Sequence, residues 1–203
     1  MLLALAVAGY LLGSIPVAWL VARAVSGQDL RRVGSGNVGV LNTAVSVARW
    51  AGLLVFAAEA AKGVGAVLLA RSLSSQPAAA PLALLAAVAG TRWSIWLRGA
   101  GGRGNTGSVA GILLLSWPTV AFGLLLWLVA RLLTHRSFVA TRVVLAAWPL
   151  IFALLSRSWW NGLAGVALSL MFVTTHRPET DDHLLVKDRW PSLWAFLSGP
   201  RRG

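Results

Sequence analysis

The residue pattern with the clearest chemical meaning is a glycine-rich polar segment at 27–42. Three closely spaced glycines give the backbone the freedom to turn successive N–H groups toward one anion, namely Gly34, Gly36 and Gly39. Polar side chains beside them add hydrogen-bond donors, namely Ser35, Asn37 and Asn42. Arg31 precedes the glycines as a counter-charge. The segment therefore predicts a phosphate-binding loop.

A second segment, 98–106, reads R-G-A-G-G-R-G-N-T and stands directly before a predicted helix. A helix N-terminus carries partial positive charge and unpaired N–H groups, so it favours an anion. Arg103 adds a full charge, and the glycines around it allow close approach of the backbone: Gly101, Gly102 and Gly104. The pattern favours the second half of a phosphate site, with a tight connection between two helices as the alternative. Neither segment matches the G-x-x-x-x-G-K-[ST] pattern of P-loop nucleotide sites.

Few other side chains offer catalytic chemistry. The chain has no cysteine, which excludes a thiol nucleophile and a thiolate metal site, and we predict neither a metal nor a cofactor. Glu59 and Lys62 lie three residues apart on one predicted helix face, where the pair either serves function or only stabilises packing. His176 ends the last apolar segment, where a lone histidine more often contacts the helix dipole or lipid headgroups.

The elements that must position these residues are mostly apolar. Hydrophobic residues make up 57% of the chain and charged residues only 12%, whereas soluble domains carry about 25% charged residues. We therefore predict an all-α bundle of a polytopic membrane protein. The net charge of +12 favours contact with anionic lipid headgroups. A nucleic-acid partner is excluded, because the composition leaves no soluble basic domain.

Apolar runs divide the chain into about seven predicted transmembrane helices. They cover residues 3–25, 50–69, 79–97, 107–117, 119–133, 138–155 and 162–175. A turn at Trp117 and Pro118 separates the short fourth and fifth spans. With that turn, all arginine-rich connections fall on one side, which the positive-inside rule assigns to the cytoplasm. We therefore expect the N-terminus outside, the C-terminus in the cytoplasm, and both glycine-rich segments at the cytoplasmic face.

Five motifs occur in a fixed order along the chain. They read Y-L-L-G-S-I-P at 10–16, D-L-R-R-V-G-S-G-N at 29–37, E-A-A-K-G at 59–63, G-G-R-G at 101–104 and T-H-R at 175–177. In order and spacing they resemble the bacterial membrane glycerol-3-phosphate acyltransferases of the PlsY type. The resemblance implies an inner-membrane enzyme that moves a fatty acyl group from acyl phosphate to the sn-1 hydroxyl of glycerol 3-phosphate. The products would be lysophosphatidic acid and phosphate, for phospholipid biosynthesis.

The resemblance also implies roles for individual residues. The catalytic residues would be Ser35, Asn37, Arg103 and His176. Phosphate would be bound by Gly34, Gly36, Gly39, Asn42, Gly101, Gly102, Gly104 and Arg31. The acyl chain would share a hydrophobic slot between spans with membrane lipids as neighbours. Direct attack of the glycerol hydroxyl on the activated acyl carbon needs mainly positioning and charge stabilisation.

Several positions depart from the family's motifs. The family has threonine, a closing arginine, histidine and asparagine where this chain has Leu41, Val45, Thr91 and Glu179. Arg31 and Arg49 are the candidates to replace the lost arginine charge, and Arg103 stands where the family usually has lysine.

These departures leave two other functions open. A catalytically silent relative would keep the fold and bind a lipid phosphate or a membrane partner. An anion transporter is disfavoured, because the glycine-rich segments lie in loops and not at the bilayer midplane. We divide the chain into a single membrane domain at 1–177 and a cytoplasmic tail at 178–203.

Overall fold

The computed structural model describes residues 1–175 and 195–196, and the regular structure within these ranges is helical, as predicted. The α-helices in chain order are α1 (Leu2–Ser14), α2 (Val17–Ser26), α3 (Val40–Ser46), α4 (Arg49–Leu73), α5 (Ala79–Arg92), α6 (Asn105–Thr134), α7 (Ser137–Ser156) and α8 (Trp159–Thr175). Two short 3₁₀ turns, Leu30–Arg32 and Ile95–Leu97, lie in the connections that carry the glycine-rich segments.

Within the described residues, five segments are long and apolar enough to cross a membrane: Leu2–Ser26, Arg49–Leu73, Ala79–Leu97, Asn105–Thr134 and Ser137–Ser156. Their outward faces carry large apolar side chains, among them Leu53, Leu124 and Leu150, each about two-thirds exposed. Soluble proteins rarely expose contiguous apolar surface on this scale, whereas lipid tails cover it without cost. The structure is thus that of a multi-pass membrane protein.

The first predicted span is divided in two at Pro16. Proline has no N–H to donate and restricts the residue before it, so α1 ends and α2 begins on the other side of the proline. Buried donors satisfy the carbonyls at the end of α1: Lys62 Nζ donates to Gly13 and Ile15 at 3.0 Å each, and Ser94 Oγ donates to Ser14 at 2.6 Å. Lys62 also pairs with Glu59 at 2.8 Å. The pair therefore ties α4 to the broken end of α1.

Small residues bring α1 and α5 into close contact. A side chain on Gly13 would overlap the backbone carbonyl of Ala87, and one on Gly90 would overlap that of Tyr10. Such small-residue contacts are typical of helices packed in membranes. They hold the end of α5, and with it the loop that leads to α6, in a fixed position beside α1.

The helix α6 is interrupted at Ser116, whose φ of −164° and ψ of 91° are not helical. Pro118 cannot donate to the Leu114 carbonyl, and its ring crowds that carbonyl. Arg71 Nη2 donates to the Leu114 carbonyl at 2.9 Å instead. Thr119 Oγ1 donates to Ser116 Oγ at 2.8 Å, which satisfies two buried hydroxyl groups at the break. The break lies beside the turn that the arginine distribution predicts.

The two halves of α6 run in opposite directions. Asn105 and Trp127 line the same cavity of about 410 Å³, whereas an unbroken helix would separate them by about 33 Å. Leu115, which lies between them, lines a cavity with Ser156 and Asn161, at the end of α7 and the start of α8. Both ends of α6 thus return to the glycine-rich loops, which is where the predicted site lies.

Candidate active site

A buried amide organises the first glycine-rich loop. Asn42 is fully buried, and its Nδ2 donates to three loop carbonyls at 2.9 to 3.2 Å, those of Leu30, Val33 and Asn37. Its Oδ1 accepts the Ser35 N–H at 3.3 Å and the Ser46 hydroxyl at 3.0 Å. The sequence predicts direct contact of Asn42 with phosphate, and the structure corrects this. Both ends of its amide are committed to the loop, so Asn42 is a brace.

Gly34 leaves space for the Asn42 side chain. Its φ of +59° lies in the left-handed region, and a side chain on it would overlap Asn42 Oδ1. Glycine at this position therefore leaves room for the Asn42 amide, and the binding of phosphate by Gly34 stays a prediction. The residues that follow face the cavities instead, and the Asn37 N–H donates to Ser35 Oγ at 3.3 Å.

The predicted counter-charge of the first loop is engaged elsewhere. Arg31 donates to the Asp29 carboxylate through Nε at 2.9 Å and Nη2 at 2.6 Å, and Trp19 Nε1 donates to the same carboxylate at 3.2 Å. These hydrogen bonds hold the pKa of Asp29 well below its usual range, and the carboxylate raises the pKa of Arg31. Arg31 therefore closes the start of the loop and does not line the site.

The second glycine-rich loop is held by its backbone. The N–H of Gly101 donates to the Arg92 carbonyl at 3.2 Å, and that of Gly102 donates to the Thr91 carbonyl at 2.9 Å. A side chain on Gly102 would overlap the Val38 carbonyl of the first loop. The sequence predicts phosphate binding by both amides, but each is used to fold the loop. The two glycines instead allow the two loops to touch.

Arg103, the residue after Gly102, lines three cavities. The first, of about 410 Å³, is here named the polar cavity and lies between the loops, the middle of α4, both ends of α6 and the start of α7. It is lined by Asn37, Gly39, Glu59, Thr91, Arg103, Gly104, Asn105, Trp127, Ser137 and Thr141, among others. The predicted residues Asn37, Gly39, Arg103 and Gly104 are thus brought together at one cavity.

The second space, of about 210 Å³, is the loop cavity. It is lined by Ser35, Gly36, Asn37, Arg92, Gly101, Arg103, Thr174 and Thr175. Two arginines line this small space together with polar residues and glycines, a composition that suits a phosphate group. Of the predicted residues, Ser35, Gly36, Asn37, Gly101 and Arg103 meet at this cavity.

The third space, also of about 210 Å³, is the apolar cleft between the first half of α6, α7 and α8. Its apolar walls are Val109, Ile112, Val144, Leu145, Trp148 and Phe172, and its polar end is formed by Arg103, Asn105, Ser108, Thr141 and Thr175. From Thr141 to Trp148 the cleft follows α7 for about 10 Å. An apolar chain in this cleft would have its head at Arg103.

A family model described as glycerol-3-phosphate acyltransferase matches residues 3–184. The chain belongs to this family. The glycerol-3-phosphate acyltransferase 2 of Moorella thermoacetica is 42% identical over 159 residues, which cover 78% of this chain and 80% of that protein. The glycerol-3-phosphate acyltransferase of Desulforudis audaxviator is 35% identical over 179 residues, or 88% of this chain and 90% of the relative. These relatives support an acyltransferase function.

A solved structure of the acyltransferase family shares the fold. The crystal structure of PlsY (YgiH), an integral membrane glycerol 3-phosphate acyltransferase in its glycerol 3-phosphate form, superposes with a TM-score of 0.75 at 26% identity. The match covers 100% of this chain and 96% of that chain. A lysophosphatidic acid form of PlsY superposes with a TM-score of 0.72 at 23% identity, covering 90% and 91%. The acyltransferase fold thus accounts for the whole helical bundle.

Several residues that line the polar cavity and the loop cavity have no sequence motif around them. Trp127 Nε1 donates to Thr141 Oγ1 at 3.1 Å, and both residues line the polar cavity. They come from different helices that meet only because α6 reverses. Arg92 belongs to a basic connection, and its charge was the single signal that pointed to it. The sequence feature that indicates Arg92 is this charge near the end of a predicted helix, just before the second glycine-rich segment.

The position of the lost family arginine lies away from the cavities. Val45 is fully buried against Ala44 and Phe196, and the Arg49 guanidinium lies 5.5 Å from the Phe196 ring centroid. Arg31 and Arg49, the predicted replacements, therefore do not reach the site.

His176 and Glu179 lie outside the described residues, as does most of the predicted tail. Thr175, the residue before His176, lines both the loop cavity and the apolar cleft.

Proposed function

We propose that this acyltransferase joins the acyl group of an acyl phosphate to a hydroxyl of glycerol 3-phosphate. The hydroxyl oxygen attacks the acyl carbon and forms the ester bond, while the bond from that carbon to the phosphate oxygen breaks. The hydroxyl proton leaves with the departing phosphate. The products are lysophosphatidic acid and inorganic phosphate, so the reaction supplies phospholipid biosynthesis. Acyl phosphate is already activated, and the protein then contributes mainly positioning and charge stabilisation.

The observation that carries this proposal is the place of Arg103 at the junction of three cavities. Two substrates that each bear a phosphate need two polar sites, and the acyl chain needs an apolar one. We therefore place the reacting acyl carbon beside Arg103, which lines all three cavities. A guanidinium at that point stabilises the negative charge that develops on the departing phosphate.

We assign the other residues by the cavity that each one lines. Ser35, Gly36 and Asn37 bind phosphate in the loop cavity, and Gly39, Gly104 and Asn105 face the polar cavity. Asn42, Gly34, Gly101 and Gly102 shape the loops that hold them. We retain His176 as a catalytic residue on the resemblance of its T-H-R motif, beside Thr175 at the site.

We further propose the apolar cleft as the place of the acyl chain. Its polar end is formed by Arg103 and Asn105, and its walls are aliphatic and aromatic. Burial of each methylene group stabilises the bound chain by about 0.8 kcal/mol. The cleft lies between helices that face the lipid, so a donor with a long chain has a path from the bilayer.

The proposed topology has seven crossings of the bacterial inner membrane, with the N-terminus outside and the site at the cytoplasmic face. Support comes from the opposite directions of the two halves of α6 and from the apolar 17-residue α8. Arginines cluster in the connections on the side of the site, including Arg98, Arg103, Arg131 and Arg136, which is the cytoplasmic pattern. We keep 1–177 as the membrane domain and 178–203 as a cytoplasmic tail.

An assay on purified protein tests the reaction. Acyl phosphates of several chain lengths are mixed with labelled glycerol 3-phosphate, and labelled lysophosphatidic acid and released phosphate are measured together. We expect equal amounts of both products. Release of phosphate without labelled lipid would indicate hydrolysis, and no reaction at any chain length would favour the catalytically silent relative.

Cysteine labelling tests the topology, since the chain has no native cysteine. A single cysteine at position 36 or 101 should react with a membrane-impermeant reagent only after the cells are opened. Labelling of either position in intact cells would overturn the cytoplasmic placement of the site. A cysteine at position 75, in the connection between α4 and α5, is the control, because it should react from outside.

A further inference from the structure

We propose that Arg92 is a second phosphate-binding residue of this site, acting with Arg103 on a phosphate monoester in the loop cavity. The inference deepens the proposed function and rests on it for the identity of the two substrates. The shared ligand chemistry is a phosphate dianion, which either the acyl donor or glycerol 3-phosphate can supply.

The fold holds the Arg92 backbone at the loop cavity. Arg92 is the last residue of α5, and its carbonyl accepts the Gly101 N–H of the second loop at 3.2 Å. Close packing of α5 on α1 fixes the end of the helix. Arg92 lines this cavity together with Ser35, Asn37 and Arg103. A cation placed on a rigid element is suited to bind a charged ligand with little cost of ordering.

The charge of the ligand calls for a second cation. A phosphate monoester carries a charge of about −1.5 to −2 at pH 7, and a single arginine compensates only part of it. Two positive charges that line one small cavity repel each other, and a dianion bound between them would be attracted to both. The planar guanidinium also donates two parallel hydrogen bonds to phosphate oxygens. Arg92 and Arg103 together therefore match one phosphate dianion.

The other arginines near the first loop are directed elsewhere. Arg31 is hydrogen-bonded to Asp29, and Arg49 lies over the ring of Phe196. Val45, which takes the place of the arginine in the motif the chain resembles, is fully buried. Among the described residues, the arginines that line the loop cavity are Arg92 and Arg103. The positive charge at this cavity therefore comes from the end of α5 and from the second loop.

The test compares Arg92→Gln with Arg98→Gln. Arg98 is an exposed arginine in the same connection and lines none of the three cavities, so its substitution removes the same charge without touching the site. Hydrogen bonds to charged groups predict about a 10- to 100-fold fall in kcat/KM for Arg92→Gln. A rise in KM for glycerol 3-phosphate alone would place the acceptor's phosphate at Arg92, and a rise for acyl phosphate alone would place the donor's phosphate there. Equal kinetics of the two variants would overturn the proposal.

A binding measurement tests the proposal without enzymatic turnover. It also includes a second variant, in case Arg92→Gln is produced in low yield. Inorganic phosphate should raise the Tm of the wild type and of Arg98→Gln. The increase in Tm should be clearly smaller for Arg92→Gln and for Arg92→Lys. Arg92→Lys keeps the charge but loses the paired hydrogen bonds, so it serves if Arg92→Gln does not fold. If phosphate protects all variants equally, Arg92 is not a phosphate ligand. Weaker protection of the Arg92 variants in a protein that transfers no acyl group would support Arg92 and overturn the proposed function alone.

Discussion

The polar loops and the apolar cleft meet at Arg103, but they are built in different ways. Each loop is contiguous in the chain and is held by contacts within it or with the other loop, such as those of Asn42 and Gly102. The cleft takes its walls from three helices, with Ile112, Trp148 and Phe172 far apart in sequence. The loops act through charge and hydrogen bonds at fixed positions, whereas the cleft acts through shape. Substitutions in the two regions should therefore change different kinetic quantities.

The largest expected effect comes from Arg103, because it belongs to both regions. Arg103→Ala should lower kcat by about 100- to 1000-fold, as loss of a charge-stabilising donor does in other active sites. Arg103→Lys should retain measurable activity, since lysine keeps the positive charge. Arg98→Ala is the matched control and should leave kcat unchanged. Steady-state kinetics with both substrates checks this, and near wild-type activity of Arg103→Ala would remove it from the mechanism.

Asn42→Ala should damage the first loop as a whole. The substitution leaves buried carbonyls and one backbone N–H of the loop without a hydrogen-bond partner. We expect this to lower the free energy of unfolding by about 2 to 3 kcal/mol. Activity and Tm should fall together. Ser35→Ala is the contrast, because it removes a hydroxyl at the loop cavity and should lower activity with little change in Tm. The opposite outcome, in which Asn42→Ala keeps its Tm and loses only activity, would restore Asn42 as a direct phosphate ligand.

Trp148→Ala should change the choice of acyl chain and leave glycerol 3-phosphate binding intact. Trp148 lines the deep end of the cleft, and its ring lies against Gly123 of the second half of α6. Removing the ring deepens the cleft, so the ratio of kcat/KM for a hexadecanoyl over an octanoyl donor should rise about tenfold. Leu150→Ala, on the lipid-facing side of the same helix, is the control. An unchanged ratio would mean that the chain lies outside the cleft.

The smallest expected effect comes from the Asp29 and Arg31 pair. Because the folded pKa of Asp29 lies below its unfolded value, the ionised carboxylate contributes stability above about pH 4, and this contribution fades as the pH falls toward the folded pKa. Asp29→Asn should therefore lower the Tm slightly at pH 7, and the difference from wild type should narrow below about pH 4. A constant difference at all pH values would show that packing, and not charge, accounts for the effect.

The sequence alone predicts those features of the molecule that depend on residues close together in the chain. The low content of charged residues predicts a membrane bundle because no soluble surface can be built from it. Glycines around Ser35, Asn37 and Arg103 predict an anion site because backbone freedom and nearby charge are readable from neighbours in the chain. The distribution of arginines predicts the turn near Pro118, since proline by itself is tolerated in membrane helices.

Other features depend on contacts between distant segments, and only the tertiary structure decided them. Whether Asn42 faces a ligand or a set of carbonyls depends on how the loop closes around it, and its residue type is the same in both cases. Arg92, Trp127 and Thr141 reach the site because α5 packs on α1 and α6 turns back on itself. Local sequence specifies which groups can bind phosphate. The packing of helices specifies which of those groups face the same cavity, since that depends on distances that no single segment contains.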